Sequence, residues 1–197
     1  TNFDKATSGA WTFNGKKLAG VAPHKVARLG MIRTFQLTKS LSKLSVIQNM
    51  MLGATHQRGE SFLTAIVPPL WSAQEKEITE RADLLLERFR LAHMREEFAG
   101  SLSGGQRKLL EMARALMAEP ELIMLDEPMA GVNPALKQSL LGHILSLRDE
   151  GRTVIFVEHD MDMVQEISDW VIVMAQGRII GEGPPGAVMK DRAVIDA

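Results

Sequence analysis

Residues 102–134, LSGGQRKLLEMARALMAEPELIMLDEPMAGVNP, decide the fold of this chain. The stretch opens with a serine and two glycines, continues as an amphipathic run and closes with an apolar segment that ends in two carboxylates. The amphipathic run predicts a helix that stops near Pro120, and its apolar stripe is Leu109, Met112, Ala113, Leu116 and Met117. The segment LIMLDEP (122–128) predicts a strand. A helix followed directly by a buried strand is typical of an α/β layered domain.

The sequence after this stretch continues the alternation of helix and strand. Asn133 followed by Pro134 predicts the N-cap and first residue of a second helix, which should end at Gly151. TVIFV (153–157) is apolar on both faces, which predicts a strand buried inside a largely parallel sheet. A short helix and a hairpin that turns at Gln176-Gly177 are expected to follow.

The sequence before residue 102 begins with two short strands. Asn14-Gly15 lies within AWTFNGKKL and predicts a hairpin turn. MIRTFQ (31–36) predicts another strand because it is rich in β-forming residues.

Residues 37–101 are predicted to be mostly helical. Ser45 with Gln48, and Ser72 with Glu75, have the spacing of a capping box at a helix N-terminus. The second of these helices has an apolar stripe at helical spacing, made of Ile78, Ala82, Leu85, Leu86 and Phe89.

The composition excludes several classes of protein. The 197 residues include no cysteine, which excludes disulfides and thiolate metal sites, and a net charge of −1 gives no reason to expect nucleic acid as a partner. No apolar run reaches the length of about 18 residues that a membrane-spanning helix needs, so no membrane insertion is expected. The first residues have no apolar region typical of a signal peptide.

Ser103-Gly104-Gly105-Gln106 is the first candidate site. A serine N-cap followed by two glycines leaves backbone N–H groups uncovered at the positive end of a helix, where a phosphate binds well. The alternative is a flexible turn before an amphipathic helix.

Asp126 and Glu127 are the second candidate site. They end a predicted strand at the edge of the sheet where ligand sites lie in open α/β proteins. One carboxylate there can hold Mg²⁺ through water and the other can polarise an attacking water. The alternative is a solvated acid pair that closes a strand.

Three further polar residues follow predicted strands or begin helices. His159 comes directly after a strand and could donate a hydrogen bond to a phosphate or a carboxylate, although a structural histidine is the alternative. Gln36 ends the MIRTFQ strand and could coordinate Mg²⁺ or order a water, unless it is only a polar strand end. Asn133 is explained locally as an N-cap.

Together these residues resemble the nucleotide-binding subunit of an ABC transporter, in the family's order over nearly the whole chain. Gln36 matches the Q-loop, LSGGQ (102–106) the signature, LIMLDE the Walker B strand with its glutamate, AGVNP (130–134) the D-loop and His159 the switch histidine. More narrowly, ARLGMIRTFQ, EPMAGVNP and VEHDM resemble the ATPases of branched-chain amino acid importers.

The resemblance implies a P-loop NTPase-type fold and the cofactors ATP and Mg²⁺. Each ATP would lie between the P-loop side of one ATPase subunit and Ser103–Gln106 of a second. Asp126 would hold Mg²⁺ through water, Glu127 would polarise the hydrolytic water and His159 would contact the γ-phosphate. Gln36 would connect the metal to the helical insert. Many members have aspartate where this chain has Asn133, which puts a charge-based role for that residue in doubt.

The resemblance also implies an organisation and a location. Residues 1–36 would belong to the nucleotide-binding core, 37–101 would form an inserted helical subdomain, and 102–197 would complete the core. The helical subdomain would contact transmembrane permease subunits, and a second ATPase subunit would complete a homo- or heterodimer. The protein would then be cytoplasmic and peripheral on the inner face of the cell membrane.

The sequence departs from the family upstream. No Gly-x-x-x-x-Gly-Lys-[Ser/Thr] loop occurs in the 197 residues, whereas the family places one before the strand predicted at Trp11–Phe13. The sequence is therefore expected to be a family member without its N-terminal segment, including the P-loop strand, and to be inactive by itself. That strand would lie beside residues 153–157, so an open edge and self-association are expected.

Two other functions remain open at this point. A non-transport ABC ATPase would carry basic patches or long coiled-coil insertions, whereas the helical insert here is short. A catalytically dead interaction module would naturally lack the P-loop, and the retained Glu127 and His159 count against it.

Overall fold

A computed structural model of the chain describes residues 2–4, 6–34, 41–60 and 71–196. Two compact units divide the chain, Thr1–Phe156 and Val157–Ala197. The division into a core at 1–36, a helical subdomain at 37–101 and a completed core at 102–197 stays a prediction.

The first unit begins with the predicted hairpin. Strands β1 (Thr12–Phe13) and β2 (Lys16–Lys17) pair antiparallel, with Phe13 opposite Lys16. The two turn residues have φ of 48° and 73°, the left-handed conformation that an Asn-Gly turn supplies at low cost. Helix α1 (Pro23–Arg28) follows, and its Val26 packs with Leu18 in a small apolar cluster under the hairpin. The hairpin prediction is confirmed.

A three-stranded sheet lies at the centre of the first unit. Its order is β3 (Met31–Arg33), β4 (Leu122–Asp126), β5 (Thr153–Val157), and β3 runs parallel to β4 with Arg33 opposite Met124. Ile123 and Leu125 of β4 are buried. The prediction that β5 is buried on both faces is wrong, since Ile155 is 46% exposed. β5 lies at the edge of the sheet of described strands, so it pairs with β4 alone in that sheet.

Three helices pack against one another between β3 and β4. They are α2 (Val46–Met51), α3 (Ser72–Arg88) and α4 (Gly104–Leu116), and short 3₁₀ turns lie at Arg58–Glu60, Ala92–Met94 and Ala99–Ser101. The capping box at the start of α2 is confirmed: Ser45 Oγ accepts from the Gln48 N–H, and the Gln48 side chain accepts from the Ser45 N–H. The described residues of 41–60 and 71–101 are mostly helical, as predicted.

Helix α3 starts differently from the prediction. Ser72 is its first helical residue and Trp71 is the N-cap, with no side-chain cap hydrogen bond. The predicted Ser72–Glu75 capping box is therefore wrong. The chain already turns into the helix at Trp71 (φ −126°, ψ −18°), so the serine lies one position too late for its hydroxyl to cap. The apolar stripe is confirmed, with Leu85 half-buried and the other four members buried.

Helices α4 and α5 supply most of the remaining core of the first unit. All five predicted stripe residues of α4 are buried, and Leu110 is buried beside them. α5 (Pro134–Asp149) begins at the predicted proline and buries Leu140, Leu141, Ile144 and Leu147. The chain leaves α5 through Gly151 at φ 82°, as predicted for a helix that ends there.

The second unit is a hairpin packed with short helices. Helix α6 (Met161–Ile167) precedes strands β6 (Val171–Ala175) and β7 (Arg178–Gly183), which pair antiparallel around the predicted turn at Gln176-Gly177. Helices α7 (Pro185–Val188) and α8 (Arg192–Ile195) contact β7. No helix among the described residues has both the length and the apolar content to cross a membrane.

Candidate active site

Asp126 and Glu127 lie at the carboxyl end of β4, as predicted. A cavity of about 30 Å³ opens there, large enough to hold a water molecule. Its polar lining is Thr34, Lys108, Glu111, Asp126 and Glu127, and its apolar lining is Met112, Leu125, Pro128 and Leu140. Two carboxylates and room for water therefore occur together at the edge of the sheet where α/β proteins bind ligands.

Asp126 forms an ion pair that the sequence analysis missed. Arg33 Nη2 lies 2.9 Å from Asp126 Oδ2, and both side chains are partly exposed. Arg33 is the last residue of β3, the strand beside β4, so the parallel register brings it within reach of the carboxylate. This contact orients the Asp126 carboxylate through Oδ2 and does not involve Oδ1.

Glu127 has an unusual backbone. Its φ is 45°, a conformation that is uncommon outside glycine and costs on the order of 1–3 kcal/mol. A tight turn follows, in which Glu127 O accepts from the Ala130 N–H at 3.1 Å. Met129 is buried beneath the turn. A backbone conformation of that cost persists only where other contacts hold it in place.

Lys108 supplies those contacts and was also missed. Its Nζ donates to the backbone oxygens of Glu127 at 3.3 Å and Pro128 at 3.2 Å, and to that of Ala130. Three carbonyl acceptors match the three N–H groups of a lysine ammonium. The side chain comes from the second turn of α4, so this helix and the turn after β4 are joined.

The N-terminus of α4 carries the predicted Ser103–Gln106 motif. Ser103 is the N-cap and forms a capping box: its Oγ accepts from the Gln106 N–H at 3.3 Å, and Gln106 Oε1 accepts from the Ser103 N–H at 2.9 Å. Both polar side chains are thus used locally. The N–H groups of Gly104 and Gly105 belong to the first turn, which has no intrahelical acceptors, and the helix dipole is positive there.

The two glycines differ in what surrounds them. A Cβ at Gly104 would meet no atom within 4 Å, whereas a Cβ at Gly105 would lie 2.0 Å from Leu136 Cδ2. Gly104 therefore leaves the helix end open to an approaching ligand. Gly105 instead lets α4 approach the first turn of α5.

Asn133 caps α5 as predicted. Its Oδ1 accepts from the Leu136 N–H at 2.9 Å. Because Leu136 also touches the position of Gly105, the start of α5 and the start of α4 are neighbours. The structure thus brings Asn133 close to the Ser103–Gln106 motif.

The two remaining candidates are His159 and Gln36. His159 belongs to the second unit, where its side chain is 76% exposed and its Nδ1 lies 3.9 Å from Glu158 Oε2. Gln36 lies outside the described residues.

The donor set can be tested against Mg²⁺. Among the described residues no group of three or more histidine, cysteine, aspartate or glutamate side chains could enclose a metal ion. Mg²⁺ bound together with a nucleotide needs only one or two carboxylates, since water and phosphate oxygens complete its shell. Asp126 and Glu127 fit that requirement and do not fit an all-protein metal cage.

The comparisons with known proteins agree with this geometry. The ABC transporter family profile matches residues 1–130. The chain belongs to the ABC transporter family. A relative from Archaeoglobus fulgidus, named probable branched-chain amino acid transport ATP-binding protein LivG, is 38% identical over all of this chain and 76% of its own length. The high-affinity branched-chain amino acid transport ATP-binding protein BraF of Pseudomonas aeruginosa is 35% identical, with all of this chain and 78% of the relative covered.

The fold of this chain is similar to that of a solved ABC transporter cassette. The ATP-binding cassette MJ1267 of an ABC transporter, in its ADP conformation, is 37% identical with a TM-score of 0.82, covering all of this chain and 78% of that one. The P-loop NTPase-type fold of an ABC ATPase and the family resemblance, both predicted from the sequence, are confirmed.

The sequence contained weak signals for the residues that were missed. Arg33 is a basic residue at the end of a strand otherwise suited to burial. Lys108 sits on the same helix as Ser103, about one turn further on. Both act on residues more than eighteen positions away, so spacing alone could not identify their partners.

Proposed function

We propose that this chain is the ATPase subunit of an importer for branched-chain amino acids. The observation that carries the proposal is the carboxylate pair Asp126–Glu127 beside a cavity of about 30 Å³, in the same unit as an open helix N-terminus. The names of the relatives from Archaeoglobus and Pseudomonas support the class of solute.

Each residue then has a part in ATP hydrolysis. Glu127 takes a proton from the attacking water, for which its turn keeps it at the cavity. Asp126 would hold Mg²⁺ through water, and Mg²⁺ would supply positive charge beside the phosphates. The Gly104 and Gly105 N–H groups bind phosphate oxygens of an ATP that a second ATPase subunit also holds.

Three further residues have proposed roles that follow from the family resemblance. His159 contacts the γ-phosphate, Gln36 connects the metal to the helical segment, and Asn133 offers a neutral amide across the dimer. In the proposed assembly, residues 37–101 contact the permease subunits, so the ATPase lies peripherally on the inner face of the membrane.

Solute uptake by cells tests the proposal. In the organism that carries this gene, the codon for Glu127 is replaced to give Glu127→Gln, and uptake of radiolabelled leucine is compared with that of an unrelated solute. We expect leucine uptake to fall at least tenfold while the unrelated uptake stays unchanged. Glu166→Gln, at an exposed position of α6, is the matched control and should leave uptake unchanged. Normal leucine uptake in the Glu127 variant would contradict the proposal.

We further propose that residues 1–197 by themselves hold ATP only weakly, because they contain no Gly-x-x-x-x-Gly-Lys-[Ser/Thr] loop. Such a loop supplies most of the backbone contacts to the phosphates in P-loop proteins. Titration calorimetry of this polypeptide with Mg²⁺-ATP should detect no binding up to millimolar nucleotide. Micromolar binding would show that the phosphate contacts lie elsewhere in these residues.

A further inference from the structure

We propose that Lys108 positions Glu127. It acts through its hydrogen bonds to the backbone of the turn at residues 127–130 and does not contact the nucleotide. This inference rests on the proposed function for its catalytic consequence. Its structural part, the role of the ammonium in fixing the turn, stands on the contacts of Lys108 alone.

The contacts converge on the segment that carries the glutamate. The Lys108 ammonium donates to the backbone oxygens of Glu127, Pro128 and Ala130. Hydrogen bonds from a charged donor are stronger than neutral ones. Three of them on four consecutive residues fix the path of the chain where Glu127 has its left-handed conformation.

Two backbone hydrogen bonds also shape the turn. The Ala130 N–H donates to Glu127 O at 3.1 Å, and the Val132 N–H donates to Met129 O at 3.3 Å. Gly131 has φ of 69°, and a Cβ added to it would meet no atom within 4 Å. Without the lysine donors, we expect the turn to relax towards backbone conformations that a glutamate prefers.

Lys108 also joins this turn to the other half of the site. It lies five positions after Ser103 on α4, a helix of 13 residues, so its Cα is held rigidly relative to the open helix N-terminus. The glutamate at the end of β4 and the backbone donors of α4 thus keep a fixed spacing. An uncharged side chain of similar length at position 108 would keep the packing of α4. It would no longer fix the distance between Glu127 and the N-terminus of that helix.

Hydrogen exchange of the complete subunit tests the structural part. Lys108→Met keeps the length of the side chain and removes all three donors, whereas Lys108→Arg keeps the charge and donors. Lys25→Met, at an exposed position of α1, is the matched control. We expect the amides of Ala130 and Val132 to exchange at least tenfold faster in Lys108→Met, with Lys108→Arg closer to the wild type and Lys25→Met unchanged. Wild-type exchange in Lys108→Met would overturn the proposal.

Steady-state kinetics of the purified transporter test the catalytic part. We expect Lys108→Met to lower kcat for ATP about tenfold with KM changed less than twofold, and Lys108→Arg to restore most of kcat. A raised KM with unchanged kcat would overturn the positioning role and indicate a direct contact with ATP. If the wild-type transporter hydrolysed no ATP, the proposed function would fail, while hydrogen exchange would still decide whether Lys108 fixes the turn.

Discussion

Two loops in this chain are each held by one side chain that reaches back from a helix, and they differ in what the restraint achieves. Asn49 of α2 is fully buried and holds the loop at residues 41–45: its Oδ1 accepts from the Leu41 N–H, and its Nδ2 donates to the backbone oxygens of Leu41, Leu44 and Ser45. Lys108 of α4 is half-buried and holds the turn at residues 127–130 beside a cavity. The first loop is restrained by a neutral amide that is itself fully buried, whereas the second is restrained by a charged group that is only half-buried.

The two restraining side chains are expected to affect different properties of the protein. A buried amide with both of its polar atoms bonded is costly to remove, because its backbone partners lose those hydrogen bonds where water cannot readily replace them. A partly exposed ammonium can be removed at lower cost to folding, since water can reach the carbonyls it leaves. We therefore expect Asn49 to govern stability and Lys108 to govern the geometry of the site.

The largest effect on stability is expected from Asn49→Leu. The substitution removes the acceptor of the Leu41 N–H and one donor to each of the Leu41, Leu44 and Ser45 carbonyl oxygens. It should lower the free energy of unfolding by about 3 kcal/mol. Chemical denaturation monitored by circular dichroism measures the change. Gln138→Leu, which makes a similar amide-to-leucine change at an exposed position of α5, is the control and should shift stability by less than about 0.5 kcal/mol. Equal effects of the two variants would remove the distinction between the loops.

The two glycines of α4 sharpen the comparison on a smaller scale. Alanine favours a helix over glycine by up to about 1 kcal/mol, and at Gly104 nothing opposes the added methyl group. At Gly105 the methyl group would displace Leu136. We expect Gly105→Ala to be less stable than Gly104→Ala by about 1 kcal/mol, measured by thermal unfolding. Leucine uptake should instead be lower in Gly104→Ala than in Gly105→Ala, since the methyl group of Gly104→Ala covers the open end of the helix. Higher stability of Gly105→Ala would show that Leu136 moves without cost.

Removal of Arg33 should have a smaller effect on folding. The Arg33–Asp126 pair is partly exposed, so Arg33→Met should change the free energy of unfolding by less than about 1 kcal/mol. The guanidinium competes with a cation for the same carboxylate, and its loss should reduce the Mg²⁺ concentration for half-maximal ATP hydrolysis about threefold. Arg28→Met, at an exposed position of α1, is the control. An increased Mg²⁺ requirement in Arg33→Met would mean that the arginine orients Asp126 for the metal.

The smallest effect is expected from pH, through a residue outside both loops. His143 of α5 stacks on Phe89 with ring centroids 4.1 Å apart. Burial lowers the pKa of His143 below its ordinary value of 6.5, and the charges of Arg88 and Arg90 lower it further. The unfolded chain then binds more protons than the folded one near that value.

This contribution to stability is fully present above pH 6.5 and is lost as the pH falls towards the lowered pKa. Denaturation curves at several pH values should show that loss, and His143→Phe should make it smaller. An unchanged pH dependence in His143→Phe would assign the titration to another group.

Local sequence patterns predicted the parts of this fold that local interactions determine. The Asn14-Gly15 turn, the capping boxes of Ser45 and Ser103 and the N-cap Asn133 each depend on residues within four positions of one another. The Ser72 capping box was wrong because Trp71 enters the helix one residue early. The two-sided burial of β5 was wrong because burial depends on neighbouring strands and helices, which a five-residue pattern does not contain.

The candidate site shows the same limit. Asp126 and Glu127 were predicted because a strand end and a carboxylate pair are adjacent in sequence. Arg33 and Lys108 were missed because each acts through a long side chain on groups that the fold, rather than the spacing, brings near. The residues proposed to carry the chemistry were therefore easier to predict than those proposed to position them.

ATP hydrolysis by the purified transporter with Glu127→Gln tests the central claim most directly. We expect kcat to fall by at least about 100-fold, the size of a lost general base, with ATP still bound and the free energy of unfolding unchanged within about 0.5 kcal/mol. Hydrolysis at the wild-type rate in this variant would contradict the assignment of Glu127 as the catalytic base.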